Sequence, residues 1–183
     1  MKRCVAYIDG GSRGNPGIAG YGVAVFDEDG NPLASLSQSL GIRTNNFAEY
    51  SALIGALEYA QSHHYDDLKV FADSELMVKQ INGQYKVKSP DLKPLYDQAK
   101  ALIFKLKSFS IHHVLREQNR EADRLANSAM DQDSGTSPSK KTLDSVRQIL
   151  AVYRNGRFEP LDSVQFAENA TFHLTVKPAN RGM

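Results

Sequence analysis

Four acidic side chains, Asp9, Glu49, Asp73 and Asp123, stand in four separate contexts: RCVAYIDGGSRGNPG, TNNFAEYSAL, VFADSELMV and LREQNREADRLAN. Two follow apolar, strand-like runs, and two fall early in helix-like runs. Carboxylates that converge in a water-accessible pocket repel one another unless a cation neutralises them. An all-oxygen donor set suits Mg²⁺ or Mn²⁺, and two such ions can clamp a phosphodiester during in-line displacement. Taken singly, each acid has an ordinary reading, because a strand-end Asp caps turns and an acid early in a helix meets the positive helix terminus. Their joint occurrence points to chemistry.

The elements that must position these acids are legible in the pattern of apolar residues. Arg3 to Asp9 alternates as a strand. Gly10, Gly11, Gly14, Pro16 and Gly17 predict a turn-rich loop. Tyr21 to Asp27 and Leu33 to Leu40 read as two further strands around an Asp29-Gly30-Asn31 turn, giving an antiparallel meander. Asn46 is the expected N-cap of a helix whose Ala48, Ala52, Leu53, Ala56, Leu57 and Ala60 share one face. Leu68 to Ala72 is a short strand expected to lie parallel to the first. Ser74 opens a short helix, Leu92 to Leu106 is a second, Ser108 to Leu115 the last strand, and Asn119 to Met130 the last helix. The order βββ-α-β-α-α-β-α predicts an α/β fold with a five-stranded mixed sheet flanked by helices. In it, Asp9 and Asp73 lie at the C-terminal ends of neighbouring parallel strands, where open α/β sheets form ligand sites.

Composition limits the alternatives. A formal charge of +1 argues against a strongly basic, sequence-blind nucleic-acid coat but leaves room for a local patch. Cys4 is the only cysteine, which excludes an internal disulfide and a thiolate metal cluster; within an apolar strand it reads as buried and inert. The N-terminus lacks an apolar signal region and no apolar run approaches a membrane span, so a cytoplasmic location and no membrane partner are expected.

These segments resemble ribonuclease H type 1, and more closely its compact, reverse-transcriptase-like branch, over roughly residues 3 to 131. The pattern NNxxEYxAL is met by Asn45, Asn46, Glu49, Tyr50, Ala52 and Leu53, and EADRLAN surrounds Asp123. The resemblance implies a metal-dependent endonuclease that cuts the RNA strand of RNA–DNA hybrids. It makes Asp9, Glu49, Asp73 and Asp123 both catalytic residues and ligands of two Mg²⁺ or Mn²⁺ ions, with Asp9 bridging them. It also implies that Gly11, Ser12, Asn15, Asn45 and Asn46 contact the RNA strand and the minor groove. A non-catalytic fold of the same type that only grips hybrid or structured RNA is the alternative.

Two departures from the family stand out. Many members carry a histidine in the loop before the last carboxylate, whereas here that loop reads Leu115-Arg116-Glu117-Gln118-Asn119. Arg116 is the candidate phosphate contact in its place. His113 alternates with Phe109, Ile111 and Leu115, which predicts a packed core histidine. The extra basic helix of some members is also missing, leaving Lys86, Lys88 and Lys93 as either DNA-strand contacts or a solvated face.

The domain reading is 1–131 for the ribonuclease H-like part, 132–145 for a polar linker, and 146–183 for a small β-rich module. Ile149 to Tyr153, Asn155-Gly156 and Arg157 to Pro160 give a hairpin signal, and Thr171 to Val176 another strand. This tail resembles a small antitoxin-like β domain with the pattern AVYENGxFxPL. Too small for a secure core of its own, it is expected to dock or to form a homodimer through open strand edges.

Overall fold

The computed structural model describes residues 2–134, 151–154 and 157–160. Its elements are β1 (Arg3–Gly14), β2 (Gly17–Phe26), β3 (Pro32–Arg43), α1 (Asn45–Ser62), β4 (Asp67–Ala72), α2 (Glu75–Ile81), α3 (Lys93–Phe104), β5 (Ser108–His113), a 3₁₀ turn (Arg116–Gln118), α4 (Arg120–Ser134), β6 (Ala151–Arg154) and β7 (Arg157–Pro160). The main sheet has the order β3-β2-β1-β4-β5. The three N-terminal strands are antiparallel, and β1, β4 and β5 run parallel. This is the five-stranded mixed sheet expected from the sequence, with the ribonuclease H-like order of elements.

The core explains why these residues adopt these elements. Cys4, Ala6 and Ile8 alternate inward along β1, and Leu68 and Val70 do so on β4. A fully buried Leu or Val side chain contributes roughly 1.5–3 kcal/mol. Helix α1 is buried on most of its circumference, because Tyr50, Leu53, Ile54 and Leu57 sit between the sheet and α3. Burial pushes the Cys4 thiol up to about 11, which keeps it protonated and inert. Helix α4 buries a narrower stripe, Ala122, Leu125, Ala126, Ala129 and Met130, against β1, β2 and β3.

Several expectations need correction. The glycines after Asp9 do not form a loop: β1 continues to Gly14 and β2 begins at Gly17, so the segment is a paired hairpin. Thr44, not Asn46, caps α1, accepting from the Phe47 N–H at 3.3 Å. His113 is exposed rather than packed, because β5 is an edge strand whose cover ends at Ile111. Helix α4 extends to Ser134, into the first residues of the expected linker at 132. The expected hairpin is present as β6 and β7, paired from Ala151↔Pro160 to Arg154↔Arg157. The expected strand at Thr171 to Val176 lies outside the described residues. The chain divides into two units, Met1–Ser137 and Pro138–Met183, and the hairpin belongs to the second.

Candidate active site

Parallel pairing of β1 with β4 runs from Arg3↔Asp67 to Ile8↔Ala72. Asp9 and Asp73 are the residues that follow this last pair, so the carboxylates start from adjacent backbone positions. Asp9 does not end its strand; it marks where β1 leaves β4 and continues against β2 alone.

Two glycines bring the helical acids in. A Cβ at Gly10 would lie 2.2 Å from the Ala48 carbonyl carbon and 2.3 Å from the Glu49 nitrogen. Only glycine allows α1 to rest on β1 here, and that contact sets Glu49 beside Asp9. Gly22, the register partner of Asp9, does the same on the other face of the sheet: a Cβ there would meet Ala122 O at 2.3 Å and Leu125 Cβ at 2.5 Å. That close approach carries Asp123 to the same end of β1.

The resulting electrostatics are unfavourable for bare protein. Burial, then repulsion from Asp73 and Asp123, pushes the Asp9 carboxyl up to about 7. Glu49 is also raised to about 7, chiefly by burial, with Asp9 and Asp73 adding repulsion and hydrogen bonds from Ser74 and Asn45 opposing it. Asn45 Nδ2 donates to Glu49 Oε1 at 2.8 Å. Asp123 Oδ1 accepts from Arg116 Nη2 at 2.5 Å, and Asp123 Oδ2 accepts from Asn127 Nδ2 at 3.1 Å. Among the described residues, no three His, Cys, Asp or Glu side chains already form a closed ion-binding cluster.

The donor set still fits hard divalent cations on two counts. All four groups offer oxygen, and their mutual repulsion is the condition a cation relieves. The Arg116 guanidinium, which feels Asp9 and Asp73 as well as Asp123, is a stand-in positive charge at the same place.

The other candidate residues fall into two groups. Asn15, at the β1–β2 tip, accepts from the Asn45 backbone N–H at 3.2 Å and ties that tip to the start of α1. Asn46 is exposed beside them. Gly11 lies against Met130, where a Cβ would be 3.2 Å from the methyl carbon. Ser12 keeps its hydroxyl enclosed and unpartnered.

Sequence reasoning missed Asn119, Ser74 and Asn127. Asn119 is 1% exposed, and its Nδ2 donates to Ile8 O at 2.8 Å and to Asp73 Oδ1 at 3.3 Å. Its signal in the sequence was only a polar residue at the expected helix start.

Comparison with known proteins agrees with this geometry. The profile of the reverse transcriptase-like family matches residues 7–129. The bifunctional protein Rv2228c of Mycobacterium tuberculosis is 47% identical over 130 residues, which are 70% of this chain and 36% of that protein. Ribonuclease HI of Halobacterium salinarum is 43% identical over 129 residues, 70% of this chain and 65% of that one. The chain thus spans about a third of the mycobacterial relative and under two thirds of the archaeal one. Among solved structures, the N-terminal ribonuclease H domain of Rv2228c, fused to maltose-binding protein, superposes with a TM-score of 0.73 at 44% identity, covering 75% of this chain and 99% of that one. LC11 ribonuclease H1, solved in complex with an RNA/DNA hybrid, gives 0.68 at 42% identity, covering 72% and 99%.

Proposed function

The chain belongs to the reverse transcriptase-like family, and from that premise we propose that it is an endoribonuclease that hydrolyses the RNA strand of RNA–DNA hybrids, leaving 3′-hydroxyl and 5′-phosphate ends. The observation that carries this reading is the gathering of four acids from β1, α1, α4 and the end of β4 around one point, at the cost of raised carboxyl pKa values. A protein that only gripped nucleic acid would gain nothing from that repulsion. The likeness to a ribonuclease H1 solved with its hybrid supports the substrate class.

Asp9, Glu49, Asp73 and Asp123 would hold two Mg²⁺ or Mn²⁺ ions between them. Such ions supply a lowered pKa for the attacking water and neutralise charge on the leaving 3′ oxygen. The chain's own residues bind and orient. Asn45 steadies Glu49 and, through Asn15, fixes the hairpin tip beside it. Gly11, Ser12, Asn15, Asn45 and Asn46 line the side where the RNA strand and its 2′-hydroxyls would lie; for Ser12 the backbone is the accessible part. Arg116 releases Asp123 and takes a phosphate instead.

For residues 146–183 we propose a pairing role. Among the described residues, β6 and β7 pair only with each other, and an edge left open in such a sheet would suit a second copy of the chain. Sedimentation velocity over a range of concentrations would show a reversible dimer, and a monomer at every concentration would end that idea.

The test of the main reading is cleavage of an end-labelled RNA–DNA hybrid with Mg²⁺ or Mn²⁺, beside RNA and DNA duplex controls and Asp73→Asn. The expected result is metal-dependent cutting of the hybrid's RNA strand, absent in the variant. Hybrid binding without cutting under either ion would instead establish the non-catalytic module.

A further inference from the structure

Asn119 immediately precedes α4, and its carbonyl accepts the Asp123 N–H at 3.0 Å, so it stands at the helix's N-cap position. Asn at that position ordinarily turns its side-chain oxygen onto a free N–H of the first turn. Here it does not. Its Oδ1 is enclosed without a partner, while its Nδ2 points across to Ile8 O and Asp73 Oδ1. A buried polar atom left unpaired gives up its hydrogen bonds to water with nothing in return. The fold therefore forgoes an available cap to keep this amide at the point where β1 and β4 part.

The three contacts of Asn119 lead to three different acids. Ile8 is the residue before Asp9; Asp73 is touched directly; Asp123 is one helical turn along, held through the backbone. We propose that Asn119 is a positioning residue that holds Asp9, Asp73 and Asp123 at one mutual spacing, and so sets the affinity of the site for divalent cations. Glu49, delivered from the opposite face by α1, lies outside its reach. The inference rests on the proposed metal-dependent reading and deepens it.

The test uses the full chain and the variants Asn119→Leu, which keeps bulk but removes the amide, and Asn119→Ala. Mn²⁺ binding is read from the loss of the free-ion signal in electron paramagnetic resonance, with folding checked by circular dichroism. Loss of a partner behind a metal ligand typically weakens metal affinity by about ten- to a hundredfold, and that loss is expected here. A matching fall in kcat and little change in KM for hybrid are also expected. Unchanged Mn²⁺ affinity with only a lower Tm would make Asn119 a structural fastener and overturn the proposal.

A second measurement needs no variant. In the wild-type protein the Asn119 side-chain amide resonances are expected to shift with Mg²⁺ along the same saturation curve as ion binding. Resonances that stay still at saturating Mg²⁺ would equally overturn the proposal. Failure of the wild type to bind either ion would instead remove the metal-dependent reading itself. Ion binding without hybrid cleavage would remove the nuclease and leave the role of Asn119 to be judged by the same titrations.

Discussion

The two ends of the β1–β4 pairing treat charge in opposite ways. At the end where the strands begin, each of these acids has a basic partner. Arg3 Nε donates to the buried Asp67 at 2.5 Å and its Nη1 lies 3.3 Å from Glu28, while Lys107 Nζ sits 2.9 Å from Asp66. The Lys107 ammonium holds the Asp66 carboxyl below its ordinary range. Six residues further along β1, Asp9 is raised to about 7 by burial and by Asp73 and Asp123, and Glu49, set beside it by α1, is raised to about 7 by burial and by Asp9 and Asp73. Pairing serves stability, whereas crowding that Arg116 only partly relieves is tolerated where a cation or a substrate is to complete the balance. A tally of acids cannot tell these ends apart; the partners can.

The sharpest way to break the comparison is to remove one acid from each end. Glu49→Gln is expected to lower hybrid cleavage by roughly a thousandfold or more, as when one member of a cooperating catalytic set is lost. Asp67→Ala should lower Tm by several degrees and leave kcat within about twofold, because distant sites act independently. Equal effects of both on the cleavage rate would erase the distinction.

Next in size is backbone spacing. Gly10→Ala is expected to destabilise the fold by about 1–3 kcal/mol, because its new methyl meets main-chain atoms that have no rotamer to escape into. Denaturant unfolding beside a cleavage assay would show both losses; full stability and activity would mean that α1 can lift without consequence.

A smaller effect carries a distinctive pH dependence. Below about pH 4, Asp9 is protonated in both folded and unfolded chains and contributes nothing to their difference. Between about 4 and about 7 the folded chain retains a proton that the unfolded chain has lost, so stability falls as pH rises, and above about 7 the full penalty applies. Asp9→Asn should therefore unfold later than wild type in metal-free buffer at pH 8, by on the order of 2 kcal/mol, with the gain vanishing near pH 4. A pH-independent difference would remove the repulsion account. Asp67→Ala should show no such gain at pH 8.

The mildest change concerns the stand-in charge. Arg116→Ala removes a cation from Asp123, so the Mg²⁺ concentration at half-maximal thermal shift should fall by about threefold, the scale of an exposed ion pair. A rise would show that Arg116 assists rather than competes with ion binding.

Much of this was legible in the sequence because it depends on local pattern. The five strands and four helices follow from alternation and from helical spacing of small and apolar residues. The four acids were recognisable from their motifs, and the structure brings them together. What escaped were features set by the packing of distant segments. Gly10, Gly11 and Gly14 read as a loop because glycine has no strand preference of its own, yet pairing with β2 extends the strand through them. The role of Asn119 depends on the carbonyl of Ile8, 111 positions away, which no local pattern records. His113 was misjudged because alternation says which side a residue takes, not whether anything covers that side.

Gly10 and the register pair Asp9↔Gly22 make the sheet thinnest where the acids meet, with α1 resting on one face and α4 on the other. The molecule thus works there like a calliper whose jaws are two helix backbones closed on a single layer of strand. The gap between Glu49 and Asp123 is gauged by the thickness of peptide groups rather than by side chains. Repacking elsewhere in the core, such as trimming Leu53 or Leu57, can soften the protein while leaving that gauge unchanged.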